Sequence, residues 1–238
     1  MSRRASHIDI AGTYSPVGAS NDPNIVRFPP EGYVTFQSDV YAGSGPSRFR
    51  LAVDDLMTWG AQRGAGIDVT DVTYGDQSGY QGVKFDEAGT PIALQDSDES
   101  TYSATGEPFI VADTEATLNW PRKSLRWPLL PTSRRVRVVY TIDEPNRQGF
   151  AIGTIDAEGV VGEQVFIVEH RADGTVWATV RGLLMAADSG KFGIKGLVLP
   201  RAAIVSAKAQ LKSLALGGGK NDTGSLEIEG FEASGIGT

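Results

Sequence analysis

Cysteine is absent from all 238 residues of this chain. Its absence excludes disulfide bonds, thiolate nucleophiles and zinc sites built on cysteine, and a chain of this length does not need disulfide bonds to fold. We therefore expect one globular domain with peripheral extensions, located in a reducing compartment, the cytoplasm.

Positive charge and long apolar runs are scarce as well. The 22 Lys and Arg residues are outnumbered by 29 Asp and Glu residues, which gives a net charge of -7. The chain has no general positive field for phosphate backbones, so we expect no nucleic-acid partner. No segment reaches the roughly 18 apolar residues of a membrane-spanning helix, and no apolar stretch follows the basic start MSRR. We expect neither a membrane span nor a secretory leader.

Catalytic and metal-binding motifs are also missing. His7 and His170 are the two histidines, and the pattern around His170 indicates an exposed strand end, so a Ser-His-Asp triad is poorly supported. The sequence has no HExxH, no GxxxxGK[ST] and no GxGxxG at a strand-to-helix turn. The neighbouring carboxylates, Asp54 with Asp55 and Asp143 with Glu144, lack the spacing of a metal site. We predict no metal and no cofactor.

What the sequence does contain is a series of β-strands. Four segments between residues 134 and 182, RRVRVVYTI, GFAIGTI, EQVFIVEH and TVWATVRG, are separated by turns at a regular pitch, which predicts an antiparallel meander. Upstream, YVTFQSDVY predicts a strand, and an apolar stripe after Pro46 predicts a helix that ends near Gly60. Downstream, residues 195–216 are typical of a long helix, with Pro200 either starting or kinking it.

This order predicts an α+β fold in which a curved antiparallel sheet grips the long C-terminal helix. Residues 1–32 form an extended arm, residues 33–216 the domain and residues 217–238 a glycine-rich tail. The polar run at 94–108 predicts a mobile loop. A sheet of this kind closed by a helix forms a cup, and concave sites of this kind bind small molecules.

Several of these segments also carry spaced residues that resemble the uncharacterised protein family 0548. The resemblance spans about residues 33–216 and implies a START-like, helix-grip fold, a superfamily that includes lipid carriers, plant hormone receptors and aromatic polyketide cyclases. It implies no assigned activity. The chain departs from the family pattern at Ile152, where the family tends to have an aromatic residue, and in a long insert around residues 75–118. The matching residues are Gly43, Gly45, Pro46, Tyr140, Asp143, Gly149, Phe150, Gly153, Thr154, Gly162, Glu163, Asp173, Gly174, Val176 and Trp177.

Polar and aromatic side chains in the meander are the candidate ligand-binding residues. Strict alternation places Tyr140 on the same face as Val136 and opposite Arg137, so these candidates belong to different faces. An ordinary solvated outer face is the alternative interpretation of the same pattern. The candidates are Arg137, Trp177 and Arg181 in the meander, with Trp120 and Trp127 as a clamp or cover at the open end of the cup.

Glu163 and Tyr140 are the candidate catalytic residues. Glu163 opens a nearly apolar strand. If it is buried without a partner, the pKa of its carboxyl is raised and suits acid-base work, whereas if it points outward it only makes a strand end more soluble. Tyr140 offers a hydroxyl donor, although a core tyrosine with its hydroxyl at the rim explains it as well.

We therefore predict that the chain binds a hydrophobic or aromatic small molecule between the sheet and the C-terminal helix. A cyclase or lyase-type enzyme that uses this cavity and one acid-base residue is the alternative. A protein that interacts through the 94–108 loop and the tail is a third hypothesis.

Overall fold

A computed structural model describes residues 17–75, 84–85, 91–92, 102–121, 132–156, 159–187 and 193–215. The strands of this structure are β1 (Val34–Ser44), β2 (Asp68–Thr73), β3 (Lys84–Phe85), β4 (Pro91–Ile92), β5 (Glu115–Asn119), β6 (Ser133–Glu144), β7 (Arg147–Thr154), β8 (Val160–His170) and β9 (Thr175–Ala186). The helices are α1 (Pro46–Met57), α2 (Gly60–Gly64) and α3 (Gly193–Ser213).

Seven of the strands form one antiparallel sheet in the order β1-β9-β8-β7-β6-β5-β2, while β3 and β4 pair separately. Strands β6 to β9 are consecutive neighbours, which confirms the predicted meander. The long helix α3 packs across β9 and β1. The predicted α+β architecture, an antiparallel sheet that grips a C-terminal helix, is therefore confirmed.

The two longer helices form where the sequence supplies a start signal or an apolar stripe. Gly45 has φ 84°, a conformation that suits glycine, and Pro46 follows at the first helical position, where its missing N–H costs nothing. In α3, Ala203, Ala207 and Leu211 recur at a spacing of four residues and are buried against the sheet. Both helices therefore cover the same face of the sheet.

This covered face is called the inner face, and the opposite one the outer face. The main hydrophobic core joins α1 and α3 to the inner face through residues such as Val138, Phe150 and Phe166. A smaller cluster of Ile142, Ala151, Val165 and Ile167 lies on the outer face, with Tyr140 packed against it. The outer face is therefore partly apolar, and this apolar area is covered in part by the N-terminal arm.

A β-bulge in β6 corrects the predicted alternation. The pairing of β6 with β7 shifts between Val138 and Tyr140, so one strand contains an extra residue at that point. Because side chains alternate with a period of two, the extra residue moves Tyr140 to the face that also holds Arg137. The prediction that these two residues lie on different faces was wrong for this reason.

The described part of the N-terminal arm lies on the outer face. It contains two short 3-10 helices, Ala19–Asn21 and Pro23–Val26, and the first of them contacts β8 and β9. The side chain of Asp22 accepts a hydrogen bond from the backbone N–H of Asn24 over 2.8 Å and so caps the second helix. The tail at 217–238 and Trp127 lie outside the described residues, as do residues 94–101 of the polar run.

Within the described parts of the chain, no helix combines the length and the apolar character needed to cross a membrane.

Candidate functional site

A small cavity lies on the inner face, between α3 and the strands β5 to β8. Its volume is about 40 Å³. Space of this size holds a water molecule, whereas pockets that hold a small organic ligand have volumes of roughly 300 to 1,000 Å³. This cavity is thus too small for an organic ligand in the conformation shown. The residues that matter for its chemistry are Trp120, Arg134, Ile152, Gln164, Ser206 and Gln210.

Three polar atoms at this cavity are buried without a hydrogen-bond partner among the described residues. They are Nε of Arg134, Oε1 of Gln164 and Oε1 of Gln210. Arg134 and Gln210 are 8% and 3% exposed, so water outside the protein barely reaches them. A buried polar group that lacks a partner costs about 1–3 kcal/mol, so three of them around one cavity require an explanation.

Burial also affects the charge of Arg134. Desolvation lowers the pKa of its guanidinium below the ordinary value, and the negative charge of Asp156 acts in the opposite direction. An arginine stays protonated even so, because its reference pKa is far above neutrality. The cavity therefore contains a positive charge that is poorly solvated, together with two amide oxygens that act as acceptors.

Trp120 borders this cavity, as one of the predicted cover residues. Its indole N–H donates a hydrogen bond to Oγ of Ser206 on α3 over 3.0 Å, which ties the end of β5 to the helix. Gln210 donates from Nε2 to the same hydroxyl oxygen over 3.2 Å. The tryptophan thus helps close the space between sheet and helix.

The predicted catalytic residues lie elsewhere, on the outer face. Ser20 in the arm connects them: its hydroxyl lies 2.8 Å from the hydroxyl oxygen of Tyr140 and donates a short hydrogen bond to Oε1 of Glu163. The backbone N–H groups of Gly18 and Ser20 also donate to the Glu163 carboxylate, over 2.7 and 3.0 Å. Glu163 is fully buried beneath the arm. The sheet separates this pair from the inner cavity.

Tyr140 is a poor proton donor in this setting. Burial, followed by the negative charge of Glu163, raises the pKa of its phenol well above the ordinary value of 10.0. The hydrogen bond with Ser20 acts in the opposite direction and is the weaker influence. In this arrangement Tyr140 and Glu163 hold the arm, and an acid-base role for either stays a prediction.

The other predicted ligand-binding residues are also on the outer face. Arg137 donates from Nε and Nη2 to Oε1 of Glu115 on the neighbouring strand, over 3.0 and 2.5 Å. Arg181 donates from Nε to the backbone oxygen of Ser20 over 2.9 Å. Trp177 packs edge-on against Tyr41 and lies under the guanidinium of Arg171, which is 4.6 Å from the ring centre. None of the three borders the inner cavity.

The residues that do border the cavity were not predicted, although one signal was readable. Gln210 lies in the buried stripe of α3, seven residues after Ala203 and four before Leu214, where an apolar residue is expected. Arg134 likewise precedes Val136 and Val138 at a spacing of two on the inner face of β6. A polar residue that interrupts an apolar period was therefore the available indication.

The antiparallel sheet and the long helix α3 packed across it form a helix-grip architecture. A family model described as a domain of unknown function, DUF1990, matches residues 13–97 and 106–187. These segments make up more than half of the chain, which therefore belongs to this family. The predicted resemblance to an uncharacterised family is confirmed. The match to the family model begins at residue 13, within the N-terminal arm, and ends at residue 187, before α3.

A UPF0548 protein of Deinococcus radiodurans is 49% identical to this chain over 41 residues. The aligned stretch covers 17% of this chain and 21% of the length of that relative, so the chain spans about a fifth of it. This short match supports the family and leaves the activity of the whole protein open.

Solved structures that align with this one over most of the chain have low sequence identity to it. A hypothetical protein, jhp0584, from Helicobacter pylori has a TM-score of 0.40 and 8% identity, with 80% of this chain and 92% of that chain covered. A truncated norcoclaurine synthase from Thalictrum flavum has a TM-score of 0.38 and 8% identity, with coverage of 78% and 94%. Ara h 8.0201 has a TM-score of 0.38 and 10% identity, with coverage of 77% and 98%.

Proposed function

We propose that this protein binds a small molecule between the inner face of the sheet and α3. The ligand has a hydrophobic or aromatic body and a polar group that is anchored by Arg134, Gln164 and Gln210. The observation that carries this proposal is the convergence of three unpartnered buried polar atoms on one cavity. A ligand with an acceptor for Arg134 and a donor for the amide oxygens satisfies all three groups.

The small volume of the cavity means that ligand binding requires a change of conformation. Because about 40 Å³ is too small for an organic ligand, binding requires α3 to move away from the sheet. Pro200 lies within α3 and has no backbone N–H, so the helix lacks one of its internal hydrogen bonds there. This position is where we expect the helix to bend when the ligand enters.

A fluorescent aromatic anion, 8-anilinonaphthalene-1-sulfonate, tests the proposal because it combines an apolar body with one acceptor group. We expect saturable binding to the folded protein, weakened at least tenfold by R134M, because a tenfold change corresponds to about 1.4 kcal/mol. Q210M removes a polar anchor while it preserves volume, and K208M on the exposed side of α3 is the matched control. Equal affinity in R134M and the control rules out the proposed anchor.

Native mass spectrometry provides a second measurement that does not depend on a chosen probe. Protein purified without added ligand is expected to retain a small molecule, and this bound fraction should decrease in Q210M and persist in K208M. A chain that carries nothing in any preparation and also fails to bind the dye would refute a ligand site on the inner face.

As a second proposal, Glu163 or Tyr140 transfers a proton in an enzyme, at a site on the outer face and not in the cavity that the sequence-based hypothesis placed under α3, because neither residue borders that cavity. The chain of hydrogen bonds from Tyr140 through Ser20 to Glu163 supports it. Because this chain is covered by the arm, catalysis there requires the arm to leave the outer face. Once a substrate is identified, unchanged turnover in both E163Q and Y140F would exclude this role.

A further inference from the structure

A second and larger concavity lies on the outer face, beside the N-terminal arm. Its volume is about 470 Å³, which falls within the range of small-molecule sites. Ile167 and Thr179 line it on the sheet, and Asn21 and Pro23 of the arm also border it. We call this concavity the outer groove. The sheet lies between it and the inner cavity.

Three arginines face the outer groove, although the chain as a whole is acidic. They are Arg147 from β7, Arg181 from β9 and Arg171 from the turn that joins β8 and β9. Burial lowers the pKa of Arg181, and the positive charge of Arg147 lowers it as well. The guanidinium groups of Arg181 and Arg147 therefore repel each other, and a bound anion would relieve the repulsion.

Arg147 and Arg171 keep most of their hydrogen-bonding capacity for a ligand, whereas Arg181 already donates to the backbone oxygens of Ser20 and Asn21 and to Oε1 of Gln37. A guanidinium has five N–H donors. Among the described residues, Arg171 donates from Nε to Glu169 over 3.2 Å, and Arg147 donates one bond each to Glu144 and Asn21. The planar fork of an arginine matches the geometry of an oxyanion, so the remaining donors suit a carboxylate.

Two carboxylates in the groove narrow the class of ligand. Asp39 accepts from Oγ1 of Thr179 over 2.6 Å and from Nε2 of Gln37 over 3.2 Å, and Glu169 pairs with Arg171. Three arginines and two carboxylates line the groove and leave at most one net positive charge, because Glu144 beside it also pairs with Arg147. This balance suits a single carboxylate better than a dianionic phosphate. A carboxylate group has about four acceptor sites on its two oxygens, so Asp39 retains capacity for a donor on the ligand.

We propose that the outer groove binds a small hydroxy acid, with its carboxylate at the arginines and its hydroxyl at Asp39. This site is separate from the inner cavity and does not depend on ligand binding there. Specificity follows from the two halves of the groove. The arginines select the negative charge, and Asp39 selects a molecule that also carries a donor.

Titrations at low ionic strength with three matched probes test this proposal, with chemical shifts of backbone amides as the readout. Lactate has both groups, propionate lacks the hydroxyl, and propionamide lacks both the hydroxyl and the charge. We expect saturable shifts at groove residues with lactate, binding at least threefold weaker with propionate and no saturation with propionamide. Inorganic phosphate distinguishes general anion binding, and an affinity above that of lactate would overturn the assignment.

Variants locate the site. R171Q is expected to weaken lactate binding at least fivefold, and D39N to abolish the preference for lactate over propionate. R50Q removes an exposed arginine on α1 and is the charge-matched control, while Q210M alters the inner cavity and should leave lactate binding unchanged. Lactate affinity that is equal in R171Q and R50Q, or that follows Q210M, would overturn the proposal.

Discussion

The backbone N–H of Gly18 donates a 2.7 Å hydrogen bond to the carboxylate of Glu163, which lies 145 residues further along the chain. Ser20 contributes two more donors to the same carboxylate, and Arg181 reaches back to the backbone oxygen of Ser20. The buried carboxylate of Glu163 and the buried guanidinium of Arg181, both on the sheet, therefore hold the described part of the N-terminal arm in place. Arg181 and the next arm residues, Asn21 and Pro23, also border the outer groove.

Replacing Glu163 by glutamine should destabilise the protein through the arm. Glutamine preserves the shape of the side chain but introduces an NH₂ group where N–H and O–H donors of Gly18 and Ser20 converge. Charged hydrogen bonds contribute about 1.5–3 kcal/mol each, so we expect E163Q to lower the free energy of unfolding by about 2 kcal/mol or more. Urea denaturation measures this loss, and proteolysis within the arm should be faster.

The control for this experiment is E169Q on the same strand. Glu169 is partly exposed and forms a surface ion pair with Arg171, so its replacement should change stability by about 0.5 kcal/mol or less. Equal losses in the two variants would contradict the role assigned to Glu163.

Gly162, the residue before Glu163, should tolerate no side chain. Its φ is 142°, and a Cβ atom there would lie 2.0 Å from the backbone oxygen of Leu183. G162A is expected to cost about 3 kcal/mol or more, because backbone strain adds to a clash that only backbone movement relieves. G174A is the matched control, since φ is 82° and nothing lies within 4 Å of the added atom.

The control should cost about 1–2 kcal/mol, from its left-handed conformation alone. Thermal or urea unfolding of both variants gives the comparison. A loss in G162A that is no larger than in G174A would show that the strand adjusts at this position.

The strands and helices were predictable because they rest on local patterns. The turns between β6 and β9 and the start of α1 at Pro46 depend on residues within a few positions of one another. The faces of the sheet were less predictable. One extra residue near Val138 reverses the assignment of Tyr140, and no feature of the alternating pattern indicates where a bulge occurs.

The partners of Glu163 were beyond sequence reasoning for a different reason. Glu163 opens an apolar strand, and the sequence allows its carboxylate to be either buried or exposed. Its donors come from an arm that is distant in sequence and carries no periodic signal. Long-range hydrogen bonds of this kind depend on tertiary packing, which residue types and spacing do not encode locally.

Gln62, which lies away from the inner cavity and the outer groove, allows the free-energy cost of an unsatisfied buried polar group to be measured. Its side chain is fully buried in α2, and neither Oε1 nor Nε2 has a hydrogen-bond partner among the described residues. Because an unsatisfied buried group costs about 1–3 kcal/mol, Q62L should raise the free energy of unfolding by about 1 kcal/mol. Urea denaturation checks the sign, and a loss of stability in Q62L would contradict it.

A matched variant makes the comparison specific. Q148L changes a residue in β7 whose Nε2 donates to Oδ1 of Asp143 over 3.3 Å near the surface. Its removal should lower stability slightly or leave it unchanged, since exposed side-chain hydrogen bonds contribute little. A stabilisation equal to that of Q62L would show that added apolar surface, rather than relief of a buried polar group, explains the result.

Glu115 should contribute stability that depends on pH. Its carboxylate pairs across the sheet with Arg137 and also contacts Arg135, at 2.5 and 3.0 Å. The hydrogen bond from Arg137 is the largest influence on the pKa of Glu115 and lowers it. Burial raises this pKa, but the charges of Arg137 and Arg135 lower it further, so the pKa lies below the ordinary value of 4.5. Because the pKa of Glu115 is lower in the folded protein than in the unfolded chain, the ion pair stabilises the protein fully at pH values above the pKa of the unfolded chain. This stabilisation is lost as the pH falls through the pKa of Glu115 in the folded protein.

E115Q should therefore lower the free energy of unfolding by about 0.5–1 kcal/mol at neutral pH, the range of partly exposed ion pairs. As the pH falls below 4.5, the wild-type carboxylate takes up a proton and the difference between the two proteins should shrink toward zero. Urea denaturation at a series of pH values measures it, with E31Q at an exposed position as the control. A difference that stays constant from neutral to acidic pH would mean that the pair with Arg137 adds no charge-dependent stability.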